Sequence, residues 1–186
     1  MPDATPIPIE YILNVCGLEY ASWILKGIPG YDREYRIFAC CCANTALTLV
    51  GDKIEGYDHL KSAVVMARRM AEGLVGEEDI MKTRESVLKI GREVQVQNTD
   101  DQVDCHSMTL SAAVKCVYYS LDENAWNAVD MVLKSAIWVS WFNAPRKNPT
   151  DTEEAERAIA ETSLVYQFEF RRMCRREAKY APIIGH

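Results

Sequence analysis

No stretch of this 186-residue chain approaches the roughly 18 uninterrupted apolar residues of a membrane span. The opening residues, Met1-Pro2-Asp3-Ala4-Thr5-Pro6, lack the basic start and apolar run of a secretory leader, so a cytoplasmic protein is expected. Phosphate-binding glycine loops, nucleophile elbows, zinc signatures and dinucleotide fingerprints are all missing, which leaves no motif-level case for an enzyme. Histidine is scarce: there are three, and none stands in a Glu-x-x-His pair, which argues against a di-iron bundle. No metal or other cofactor is expected. Basic residues are outnumbered, 21 against 27 acids, and the net charge of −6 opposes broad electrostatic binding to nucleic acid. Alternating apolar and polar runs, low-complexity segments and repeats of fixed period are also lacking, which disfavours strands and solenoids.

What is present is ordinary globular composition, 48% apolar and 26% charged, on a chain long enough to bury one core without staples. A single domain over residues 1–186 is the default. Seven cysteines could suggest bridging, but the number is odd and Cys40, Cys41 and Cys42 are consecutive, so reduced thiols are expected.

Apolar residues recur at steps of three and four almost throughout, predicting an all-α compact bundle of about seven helices. The first runs from Pro8 to Gly27 with Ile12, Leu13 and Trp23 on its apolar face, and the second from Asp32, read as its N-cap, to Gly51. From Ala39 to Val50 the second carries no charge, which marks a central helix. The third spans about 58–73 with Leu60, Ala63, Val64, Ala67 and Leu74 on one stripe, and the fourth about 77–97. A turn at Asn98-Thr99-Asp100-Asp101 precedes a fifth helix with two apolar lines. Ser120 with Glu123 has capping-box spacing for a sixth, whose inward line includes Trp126, Val129, Leu133, Ile137 and Trp141 and which stops before Pro145. Thr150 with Glu153 repeats that spacing for a seventh helix reaching Arg176, with Ile159, Thr162, Val165, Tyr166 and Met173 inward.

Successive helical residues turn by about 100°, so three adjacent thiols cannot share one tetrahedral metal, and Cys105 cannot readily be activated by His106 beside it. His106 and Asp130 each fall on an apolar line. They form either a buried polar network or the wet edges of two stripes. Glu153, Glu154, Glu156, Glu161 and Glu169 lack a second facing acidic motif for magnesium, and acids in a first turn complement the helix dipole. Further along the same helix Arg171, Arg172, Arg175 and Arg176 form a basic strip, suited to the dipole or to an acidic partner. Trp138, Trp141 and Phe142 crowd five residues and cannot all face inward, which suggests an aromatic contact surface beside Arg146-Lys147.

The segment Asp32-Arg33-x-x-Arg36-Ile37-Phe38-Ala39-Cys40-Cys41-Cys42, followed by Ala63-Val64, Ala67, Ala71 and Gly73, resembles an uncharacterised family of helical proteins of planctomycete-type bacteria. The likeness covers roughly residues 30–75. Its matched residues are mostly small core types, so it implies fold more than function, and Ala43-Asn44 stands where that family carries two arginines. The alanine-rich organisation also looks like helical immunity proteins of bacterial toxin systems, which act by binding and blocking a toxin. That resemblance implies a non-enzymatic protein whose partner is another protein. Two other readings stay open: a small-ligand enzyme or sensor with a pocket lined by His106 and Asp130, and a subunit that oligomerises through the second or seventh helix.

Overall fold

The apolar spacing produces helices at every place it predicts them. A computed structural model of the protein describes residues 9–25, 30–96, 105–144 and 152–177. These form α1 (Ile9–Leu25), α2 (Asp32–Val50), α3 (Tyr57–Ala71), α4 (Glu77–Val96), α5 (Cys105–Ser120), α6 (Ala125–Asn143) and α7 (Glu153–Glu177), with a 3₁₀ turn at Gly51–Lys53. No strand occurs among the described residues, and no helix among them is long and apolar enough to cross a membrane.

Several boundaries correct the sequence reading. Gly17 interrupts α1 with φ 83° and ψ 175°, a conformation that glycine adopts without a Cβ penalty. The break resets the apolar phase, so Ala21 and Ser22 are buried while Trp23 points out, 55% exposed. Tyr31 occupies the cap position of α2, and Asp32 is its first helical residue, placed with Glu34 to complement the dipole. Asn124, not Ser120, caps α6: its side chain accepts the Asn127 N–H at 2.9 Å, whereas Ser120 ends α5 and donates back to the Val117 carbonyl. Thr150 lies outside the described residues. Leu74 leaves the α3 stripe because Gly73, at φ 68°, closes that helix in a Schellman turn. The Leu74 N–H donates to the Arg69 carbonyl at 2.9 Å and the Gly73 N–H to that of Met70 at 3.0 Å.

The core sits where α2, α5 and α6 meet, and the charge-free stretch of α2 is at its centre. Cys40, Cys42, Ala43, Ala46 and Leu47 of α2 face Ala113, Cys116 and Val117 of α5 and Ala128, Val132, Ala136 and Val139 of α6, all buried. Small side chains let the three helices approach closely, so packing depends on shape more than on bulk. The clearly amphipathic α3 and α4 cover one side through Leu60, Ala63, Ala67, Val87 and Ile90. On the other side α7 packs across α6, α2 and α1, with Phe170 edge-on to Phe38 at 5.5 Å. Ile137 and Val165 are exposed, contrary to the inward lines drawn for them. The core residues of α6 (Val132, Ala136 and Val139) are on another side of the helix from Ile137, and Tyr166 and Phe170, not Val165, anchor α7.

Candidate functional site

The arginines of the Asp32-to-Gly73 motif are consumed by the fold. Arg33 donates to both carboxylate oxygens of Glu72, at 3.0 and 2.9 Å, and to Glu34 at 3.0 Å. Those hydrogen bonds, Glu72 first and Glu34 second, hold the Arg33 guanidinium above its ordinary pKa. Glu72 lies between Ala71 and Gly73, so the two halves of the motif meet in space: the start of α2 is tied to the end of α3. Arg36 is half-buried and donates to the carbonyls of Asp122 and Glu123 and to the Met70 sulfur. Burial lowers its pKa, opposed by Asp32 and Asp122. The turn it grips is ordered by Asp122, which accepts from the Asn124 N–H at 2.8 Å and from the Asn127 side chain at 2.7 Å.

Cys40, Cys42 and Cys116 are core material. Cys40 and Cys42 are buried and Cys41 half-buried; these three, Cys105 and Cys116 are free thiols. Burial pushes the Cys40 thiol up to about 12 and Cys42 and Cys116 upward as well, the opposite of activation. For Cys41 burial also dominates, with Glu169 adding to the rise against Arg172. The hydroxyl of buried Tyr166 has no hydrogen-bond partner among the described residues, and burial, then Cys42 and Cys116, push its pKa up. No cluster of three metal-ligating side chains occurs among the described residues.

His106 and Asp130 do not make a polar core. His106 is exposed near the start of α5, and Asp130 sits at the edge of α6, accepting from Lys134 one turn on at 2.7 Å. Each lies at the wet border of its apolar line, where solvation costs nothing and no buried partner is needed.

The aromatic residues of α6 build a groove. Trp138 is 53% exposed and stacks on Phe142 one turn later, with centroids 5.4 Å apart and planes 16° from parallel. Facing them across a cavity of about 300 Å³ are Met108, Ser111 and Lys115 of α5 and Gln95 of α4. Trp141 is only half-buried and does not line it. The α5 contributors were missed in the sequence because Met108, Ser111 and Lys115 form a third face, outside the two apolar lines. Their i, i+3, i+7 spacing is the signal that could have found them. Arg146 and Lys147 lie outside the described residues.

The basic strip is divided. Arg171 donates to the Asn14 side chain at 2.6 Å, fastening α7 to α1. Arg172 pairs with Glu169 at 2.9 Å and approaches the Cys41 sulfur at 3.8 Å. With Arg68, Asn44 and Thr45 these residues border a second open groove of about 360 Å³ between α2, α3 and α7. Arg175 and Arg176 continue the helix, and their side chains lie outside the described residues.

The groove beneath Trp138 is thus an exposed aromatic surface with hydroxyls and one cation around it, suited to holding an apolar group. No protein-family model, no curated protein and no solved structure matches this chain.

Proposed function

We propose that this chain is a non-enzymatic protein-binding protein, acting in the cytoplasm, that engages another protein through the groove between Trp138, Phe142 and Met108. The observation that carries this reading is the stacked pair Trp138 with Phe142, held at the mouth of a cavity with Trp138 more than half in water. Large aromatic rings at the surface are the residues that dominate protein interfaces when they become desolvated. The fitting occupant is an apolar side chain presented by a partner, with a carboxylate beside Lys115. The likeness to immunity proteins supports a blocking role of the kind used in bacterial or phage conflict, since such a protein needs a complementary surface and no chemistry of its own. The enzyme or sensor reading draws no support from this cavity, because neither His106 nor Asp130 lines it.

The test is affinity capture from the native host with wild-type chain and with Trp138→Ala in parallel. A stoichiometric partner held by the wild type and released by Trp138→Ala is the expected result. A partner held equally by both, or no partner at all, overturns the reading.

A further inference from the structure

The outer face of α7 is unusually apolar for a helix whose inner face is already satisfied. Ala155, Tyr166 and Phe170 bury one side. At 100° per residue, Arg157, Glu161, Leu164, Val165, Phe168 and Arg172 fall within an arc of about 100° on the opposite side, and all six are exposed. The three central residues are large and apolar, with Leu164 64%, Val165 45% and Phe168 61% in solvent. The neighbouring α1, joined to α7 by the Asn14 to Arg171 hydrogen bond, itself carries exposed Tyr11 and Val15. Contiguous apolar surface rimmed by charge is what an association site looks like on a folded chain.

The charges say what covers it. Glu161 lies one turn before Val165, and Arg172, about half exposed although paired with Glu169 of its own helix at 2.9 Å, lies one turn after Phe168. An antiparallel register that sets Val165 against the partner's Phe168 therefore also sets Glu161 against the partner's Arg172, and the two-fold axis repeats both contacts. A parallel pairing would set like charges against each other. The same polarity runs along the helix: Glu153, Glu154 and Glu156 open it and Arg171, Arg172, Arg175 and Arg176 come late. We infer that α7 is a homodimerisation helix, whose Leu164, Val165 and Phe168 face takes the same face of a second copy in antiparallel, isologous contact. The alternative oligomerisation helix, α2, has no such face to offer, since ten of its residues are buried in the core.

Sedimentation equilibrium of the whole chain tests this. The expected mass at micromolar concentration is about 42 kDa, twice the 21.1 kDa of one chain. Phe168→Glu is expected to return it to the single-chain mass, weakening association more than a hundredfold; Val165→Lys serves as a second disrupting variant, with far-UV circular dichroism reporting that both stay helical. Glu161→Arg and Arg172→Glu are each expected to weaken the dimer about tenfold, and the double reversal to recover most of that loss. Trp138→Ala is expected to leave the dimer intact, which separates this surface from the partner groove. A single-chain mass at every concentration, a dimer indifferent to both apolar variants, or a double reversal weaker than either single one overturns the proposal.

Discussion

The motif joining α2 to α3 and the outer surfaces of α6 and α7 are opposites. In the first, charged side chains are spent on contacts within the molecule: Arg33 on Glu72 and Glu34, Arg36 on two turn carbonyls. In the second, large apolar side chains are left in water: Ile137 and Val165, which read as inward, together with Trp138 and Phe168. Residue type therefore does not assign a role here. What assigns it is whether the rest of the fold satisfies the side chain, because a charge gripped by its own turn has nothing left to offer and an uncovered ring does.

The largest expected effect tests the consumed side through its thiols. Cys40 is held up to about 12 by burial, and Cys42 and Cys116 are raised too, whereas an unfolded thiol ionises near about 8.5. The folded protein then holds more protons than the unfolded one above that pH. Stability should be complete below it and fall by about 1.4 kcal/mol per buried thiol per pH unit as pH rises towards 12. Chemical denaturation at stepped pH measures the slope, and Cys116→Ala should flatten it by one proton.

Removing a consumed charge comes next. Arg36→Ala leaves the carbonyls of Asp122 and Glu123 without their charged donor and should cost about 2 kcal/mol in urea unfolding. An unchanged midpoint would mean the turn is held by Asp122 alone.

A smaller gain is expected from Tyr166→Phe. The hydroxyl is buried with no hydrogen-bond partner among the described residues, so deleting it should stabilise the chain by up to about 1 kcal/mol. A loss of stability would show that the oxygen has found a partner in solution.

The smallest effect on stability belongs to the left-out side. Trp138→Ala should shift the thermal midpoint by no more than a surface change does, within about 0.5 kcal/mol, while abolishing partner capture. A variant that unfolds and loses binding together would collapse the distinction between the two regions.

Helix positions were legible because the 3.6-residue period of Leu60, Ala63, Val64 and Ala67, or of Ile80, Val87, Ile90 and Val94, is a local signal. Boundaries were less so: Asn124 rather than Ser120 caps α6 in a turn where the Asp122 carboxylate accepts from Asn124 and Asn127 and Arg36 reaches across from α2 to the carbonyls, the last a contact no local pattern shows. The candidate site was half legible. Trp138 and Phe142 were visible as crowded rings, but the wall opposite them comes from α5 and α4, which no one-dimensional pattern places there. His106 and Asp130 misled for the same reason, since an apolar line does not reveal how wide its buried strip is.

By itself the sequence determined the all-helical class and the central place of the charge-free, thiol-rich α2, because periodicity and side-chain chemistry act over one or two turns. Only the tertiary structure decided which charged residues are spent on the fold and which apolar faces of α6 and α7 stay uncovered. Those outcomes depend on which helices become neighbours, and neighbours are chosen by the packing of the whole chain.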